Sequence, residues 1–243
     1  MNLIIDVGNS FVKLAVFYDG KLKHKQIVEL EYILEEIDVL RSEYSNINRA
    51  IISSVGKIKK RDIKAINEYF DLLVLDSETK LPFDNLYKTP KTLGVDRIAL
   101  VCASVKILPR EDVLIIDAGT CITFDFVNSK NAYLGGAISP GLNMRYQSLN
   151  NLTANLPLLK AAIPNDVIGN STEESIHSGV VNGILNEIDG AIEMYKSKYS
   201  DLTVILTGGD AKFLSKQLKS SIFANSNFLL EGLDYILQFN TNE

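Results

Sequence analysis

Residues 3–13 read LIIDVGNSFVK, and residues 114–123 read LIIDAGTCIT. Each is a run of β-formers ending in an aspartate, then a small residue, a glycine and a residue with a short polar side chain. Asp6 and Asp117 stand nearly half the chain apart. A strand–Asp–x–Gly–polar turn used twice predicts two similar half-domains, each offering a carboxylate and a hydroxyl or amide to one cleft, an arrangement suited to metal-bound phosphates. In the first copy, backbone N–H groups of the glycine turn and the side chains of Asn9 and Ser10 can hold phosphate oxygens. Asp6 can hold Mg²⁺, usually through water because that ion dehydrates reluctantly, and Lys13 adds a positive charge at the same end. A tight hairpin with a surface lysine is the plainer reading. The second copy, Asp117-Ala118-Gly119-Thr120, argues against it.

The rest of the chain narrows the possibilities. Its 243 residues suffice for one large domain or two halves. With 46% hydrophobic and 23% charged residues it reads as an ordinary soluble protein, and a net charge of −5 argues against nucleic acid as a partner. KIKKRDIK at 57–64 is the one dense basic run and reads as a solvated helix face. Cys102 and Cys121 lack metal-ligand spacing and are expected to be reduced and buried. No apolar run is long enough to cross a bilayer, and Asp6 comes too early for a signal peptide, so a cytoplasmic protein without a membrane partner is expected.

Periodicity predicts the order βββαβαβ for the first half, from LIID through DLLVLD at 71–76. Residues 77–95 carry Pro82 and Pro90 and no strong pattern, the kind of long connection that is usually functional or disordered. An apolar helix follows Asp96 and stops before Pro109. The second half restarts with VLIIDAGT, CITFDFV and a strand near AYLGGAIS, then a helical pattern over 142–150. A long helix is expected over 172–198, where Ile176, Val180, Ile184, Ile188 and Ile192 step at i+4; this stripe suits either a core helix or a subunit interface. Strand LTVILTGG at 202–209, a helix, a strand and a last helix complete the pattern.

Asp96 has two readings. Before an apolar helix it makes a good N-cap, worth about 0.5–2 kcal/mol. Arg97 beside it opposes the helix macrodipole, which an anionic ligand would explain, since arginine grips a carboxylate with two parallel hydrogen bonds. Thr172 likewise reads as the cap of the long helix, with Glu174 one residue short of capping-box spacing. His24 and His177 are not expected to act in catalysis.

No GxxxxGK[ST] or strand-linked GxGxxG occurs. The duplicated turn instead resembles the acetate/sugar kinase–Hsp70–actin superfamily, where ATP sits between two related domains, and the Gly-Gly turn of LTVILTGGD at 202–210 fits that resemblance. Gly94-Val95-Asp96-Arg97, GGAISPG at 135–141, TANLP at 153–157, and GNST at 169–172 followed by Gly179 occur in that order. With DxGNSxxK and DAGT, they make residues 6–209 similar to a type III pantothenate kinase; Ser10 stands where threonine is frequent.

That resemblance implies an α/β fold of two duplicated ribonuclease H-like, actin-like ATPase half-domains, 1–110 and 111–243. Each would have a mixed sheet flanked by helices, with nucleotide in the cleft between them. It implies ATP-dependent phosphorylation of pantothenate to 4′-phosphopantothenate, the first step of coenzyme A biosynthesis. Asp6, Val7, Gly8, Asn9, Ser10, Phe11, Val12, Lys13 and Thr120 would bind ATP. Tyr87, Gly94, Val95, Asp96, Arg97 and Thr172 would bind pantothenate, with Asp96 the base. Asp117 would hold a monovalent cation, K⁺ or NH₄⁺, and Asp6 a Mg²⁺. A homodimer is implied. Two rivals stay open: a phosphohydrolase of the same superfamily acting on phosphoanhydrides, and a non-enzymatic ATP-binding transcriptional accessory protein.

Overall fold

In the computed structural model, which describes residues 1–8, 11–55 and 58–241, the first LIID run forms strand β1 (Asn2–Val7). It pairs antiparallel with β2 (Val12–Tyr18), Asp6 opposite Lys13. Asp19 and Gly20 both take positive φ, 51° and 67°, the primed turn whose twist matches the strands it joins. β3 (Lys21–Val28) continues the meander. On its other side β1 runs parallel to β4 (Arg49–Ser54), itself parallel to β5 (Asp71–Val74), giving the order β3-β2-β1-β4-β5.

Alternation along these strands decides what the sheet buries. Leu3, Ile5, Val7, Val12, Leu14 and Val16 form a core with Ile33, Ile37 and Leu40 of α1 (Ile33–Glu43) and Ile66 of α2 (Lys60–Tyr69). Ile4, Asp6, Lys13 and Ile51 therefore face the opposite side. There α3 (Val95–Ile107) packs against β4, and α8 (Phe228–Thr241) packs against β1, β4 and α3. With neighbours on two sides, α3 is buried from Arg97 through Val105. Gly232 lets the two helix backbones meet, since a Cβ there would lie 1.9 Å from the Ala99 carbonyl oxygen. Gly232→Ala should therefore force the helices apart and lower stability by about 1–3 kcal/mol, despite alanine's better helix propensity. Urea denaturation would show this as a lower midpoint; an unchanged midpoint would mean the helices tolerate a wider separation.

The second LIID run forms β7 (Val113–Ala118), antiparallel to β8 (Cys121–Val127) and parallel to β10 (Thr203–Thr207). With β6 (Asp84–Asn85), β9 (Ala132–Pro140) and β11 (Phe223–Ala224) the sheet order is β11-β10-β7-β8-β9-β6. Read from β9 to β11, this repeats the third–second–first–fourth–fifth order of the first sheet. The duplication seen in two short phrases thus extends to the topology of two mixed sheets flanked by helices.

Two compact units result: Met1–Pro109 with Asn131–Tyr133 and Asn227–Glu243, and Arg110–Lys130 with Leu134–Ser226. β6 pairs with Ala132–Tyr133, which belong with it in the first unit. α8 also belongs there, whereas a division at 110/111 leaves it with the second half. In the second unit α4 (Leu142–Asn151) is followed, from Thr172, by the long helix expected over 172–198: α5 (Thr172–His177) runs through a π turn over Ser178–Asn182 into α6 (Gly183–Lys196) without a break. A short helix α7 (Ala211–Leu214) follows β10. The isoleucine and valine stripe packs on Leu114, Ile116 and Phe124. It is core, not subunit interface. Both cysteines are free; Cys102 is buried, which pushes its thiol well up, while Cys121 is only half-buried.

Candidate active site

Asp6 sits near the end of β1 with Lys13 across the ladder, Lys13 Nζ lying 3.2 Å from Asp6 Oδ2. Asp6 is only 6% exposed. Burial pushes its carboxyl above the usual range; Lys13 pulls it back through charge and hydrogen bonding, and the nearby Asp96 charge pushes it up again. Two acidic side chains thus share one environment in the first unit. The glycine turn closes through a hydrogen bond from the Gly8 amide to the Phe11 carbonyl, 3.1 Å. Val7 and Val12 are buried in the core, so their backbone rather than their side chains is what a ligand can meet; Phe11 is exposed. Asn9 and Ser10 lie outside the described residues.

At the start of α3 the structure separates the two readings of Asp96. Gly94 occupies the N-cap, with φ −60° and ψ 135°, and Asp96 is the second helical residue. It is not the cap. Asp96 Oδ1 accepts the Arg97 amide at 2.8 Å. A Cβ on Gly94 would lie 2.4 Å from that same oxygen, so the glycine makes room for the carboxylate rather than for an unusual backbone angle. Arg97 is buried, its guanidinium carbon 5.6 Å from the Tyr87 ring centre and 6.0 Å from that of Tyr133. The two rings are 5.9 Å apart. Tyr87 is held in the irregular stretch by the hydrogen bond its amide donates to Asn85 Oδ1 (3.1 Å) and by the one the Leu86 amide donates to the Tyr133 carbonyl (3.0 Å). Tyr133 escaped the sequence reading because a tyrosine inside a strand reads simply as a β-former.

In the second unit three glycine-bearing segments converge on the other Asp-x-Gly turn. The Gly119 amide donates to the Cys121 carbonyl (3.0 Å), and the Gly141 amide to the Thr120 carbonyl (3.1 Å). A Cβ on Gly141 would lie 2.3 Å from the Gly119 carbonyl oxygen. Gly208, of the Thr-Gly-Gly turn, has φ +97°, and a Cβ there would lie 2.4 Å from both Asp117 Oδ1 and the Ala118 carbonyl oxygen. The Asp210 amide donates to the same Ala118 carbonyl at 2.9 Å. The Asp117 carboxylate and the Ala118 carbonyl thus leave no space for a larger residue at Gly208.

Thr172 is exposed, and its helix is capped by Ser171, whose side chain accepts the Glu174 amide at 3.2 Å while the Glu174 carboxylate accepts the Asn170 amide at 3.1 Å. The S-x-x-E spacing thus starts one residue earlier than expected and leaves the Thr172 hydroxyl outside the cap. Thr172 lines a cavity of about 870 Å³ in the second unit together with Arg145, Asn170 and Ile176, and neither Asp117 nor Thr120 lines it. His177 is bound to the Tyr146 hydroxyl at 2.7 Å. Among the described residues no group of three His, Cys, Asp or Glu side chains is placed to hold a metal ion. A divalent cation would have to be shared between one or two carboxylates and ligand oxygens, the usual situation for Mg²⁺.

Residues 2–194 match the family model described as type III pantothenate kinase. The chain is 51% identical over 243 residues, all of both chains, to the type III pantothenate kinase of Christiangramia forsetii. It is 45% identical to that of Flavobacterium johnsoniae over 239 residues, 98% of each. Among solved structures, a Campylobacter jejuni protein assigned to the Baf family of transcriptional activators aligns with a TM-score of 0.65 at 22% identity, covering 99% of this chain and all of that one. A ROK family glucokinase from Streptomyces griseus, in complex with glucose and AMPPNP, aligns at 0.55 with 11% identity, over 100% and 99%. These structural likenesses speak to the fold.

Proposed function

We propose how the residues above divide the work of a reaction from one premise: this chain belongs to the type III pantothenate kinase family. It phosphorylates pantothenate with ATP to give 4′-phosphopantothenate, the first step of coenzyme A biosynthesis. In phosphoryl transfer the protein contributes mainly positioning and charge stabilisation. The observation carrying the assignment is the first turn of α3, where a carboxylate that is not a cap stands beside a buried arginine and near a second carboxylate.

Asp96 is the general base. The Arg97 amide holds Oδ1, which leaves Oδ2 to orient the primary hydroxyl of pantothenate and take its proton. Arg97, braced by Tyr87 and Tyr133, grips the carboxylate at the other end of the substrate. Gly94 and Val95 line the approach with backbone, and Thr172 adds a hydroxyl contact. On the nucleotide side, backbone groups from Val7 to Val12, the Asn9 and Ser10 side chains, Lys13 and Thr120 hold phosphate oxygens. Asp6 suits a hydrated Mg²⁺: it is a hard oxygen donor at a strand end. That ion, when bound, neutralises charge on the transferring phosphates. Asp117, whose Oδ1 lies at the Gly208 backbone beside the Ala118 carbonyl, suits K⁺ or NH₄⁺.

The working unit is a homodimer in the cytoplasm. Leu152, Leu158, Ile163, Val167 and Ile168, all exposed in the second unit, support self-association. No helix among the described residues is long and apolar enough to cross a membrane.

Arg97→Met tests the substrate side of this division. Losing a charge-assisted hydrogen-bond pair should raise the pantothenate KM by about 10- to 100-fold with a much smaller change in kcat. Steady-state kinetics with ADP release as the readout decides it, and an unchanged KM would remove Arg97 from the substrate site.

A further inference from the structure

Ser53, on β4, is the parallel register partner of Asp6, and Lys13 is its antiparallel partner on β2. Because Ala50 and Ile52 point into the α1–α2 core, Ser53 points to the opposite face, as Asp6 and Lys13 do. Three side chains thus form one row across three strands: Lys13, Asp6, Ser53. The row recurs in the second sheet, where Asp117 stands between Thr123 on β8 and Thr207 on β10. At the fourth-strand position both repeats place a buried hydroxyl, Ser53 at 1% exposure and Thr207 at 3%.

Packing alone gives no reason for Ser53. Its Oγ is buried and, among the described residues, has no hydrogen-bond partner, which penalises the fold relative to an alanine of nearly the same size. Lys13 already occupies Asp6 Oδ2. A hydroxyl beside that carboxylate is able both to donate to an oxygen and to accept from a water. Mg²⁺ characteristically keeps several of its waters when one or two carboxylates bind it.

We propose that Ser53 is a positioning residue for the divalent cation of the nucleotide, its hydroxyl and the Asp6 carboxylate holding the same water of that ion's hydration shell. This rests on the assignment of Asp6 to the cation. The serine acts through the water and touches neither substrate nor phosphate. Its hydroxyl makes a bond only when the nucleotide complex is present, so it trades stability of the free protein for order in the loaded one.

The test measures Mn²⁺ binding by electron paramagnetic resonance in the presence of AMP-PNP, for the full-length wild type, Ser53→Ala and Asp6→Asn, alongside melting temperatures without ligand. Ser53→Ala should weaken Mn²⁺ binding roughly three- to ten-fold, as loss of one hydrogen bond does, without lowering the melting temperature. Asp6→Asn should weaken it by more. If Ser53→Ala binds Mn²⁺ like wild type while Asp6→Asn does not, the Ser53 proposal is overturned and the Asp6 assignment survives. If Asp6→Asn also binds like wild type, both are overturned.

Discussion

Replacing Asp96 with asparagine should lower kcat by roughly 10²–10⁴, the usual contribution of a positioned general base, while leaving the unfolding midpoint in place. The structural half of that expectation follows from the first turn of α3. Gly94, not Asp96, is the N-cap, so the substitution removes no capping bond. Asparagine keeps an oxygen for the Arg97 amide, the contact that Asp96 Oδ1 makes at 2.8 Å. It also removes the charge that pushes Asp6 further up. What it cannot do is accept a proton from the pantothenate hydroxyl. Turnover at saturating pantothenate and ATP reads the chemical effect, and a thermal melt reads the fold. A variant with near-normal turnover would leave Asp96 only its contact with the Arg97 amide.

Asp6→Asn should show the opposite pairing of effects, activity falling and stability holding or rising. Losing a carboxylate that orients a cation's waters typically costs about 10- to 100-fold in affinity or activity. On the stability side, burial raises the folded-state pKa of Asp6 above its unfolded value, Lys13 notwithstanding. Between those two values the native state keeps a proton that the unfolded state has lost, so stability falls as pH rises through that window and the full penalty persists above it. Above that window the wild type therefore carries a buried charge that the asparagine variant lacks. Melting temperatures there should favour the variant, or match. The gap should close toward acid pH, once the carboxyl is protonated in both states. A large loss of stability at neutral pH would mean the Lys13–Asp6 pair supports the fold more than burial opposes it.

This trade is common where function sets the residue: a group that stabilises a ligand complex is a liability in the free protein. In the roles proposed for them Asp6 and Ser53 would share that character, one a buried carboxylate and the other a buried hydroxyl without a partner among the described residues. Gly94, Gly208 and Gly141 show the complementary device, backbone kept bare so that a carboxylate or carbonyl keeps its place.

Much of this was legible from local pattern. The βββαβαβ order, the second LIID strand and the α3 helix each follow from alternation or 3.6-residue spacing within one short window. Helix starts were less secure. Asp96 and Thr172 both looked like caps, yet Gly94 and Ser171 hold those positions, because a shift of one or two residues moves the cap without changing the apolar pattern. The stripe from Ile176 to Ile192 was ambiguous for a deeper reason: periodicity shows that a face is buried, not against what. The neighbours of Asp6 were harder still. Ser53 lies beside it only because β4 returns parallel after a long connection, and Tyr133 meets Tyr87 only through the short β6 pairing. No local signal marks either. α8 carried a single hint of its destination, Gly232, and only the packed structure shows that its bareness serves Ala99.

The central claim is that the primary hydroxyl of pantothenate, not water, receives the phosphoryl group. Phosphorus-31 NMR of the protein with ATP, Mg²⁺ and pantothenate tests it most directly, because a phosphate monoester and free inorganic phosphate give separate signals. The prediction is a monoester resonance that grows in step with ADP and disappears from the record when pantothenate is omitted. Inorganic phosphate growing in step with ADP, at the same rate with or without pantothenate, would contradict it.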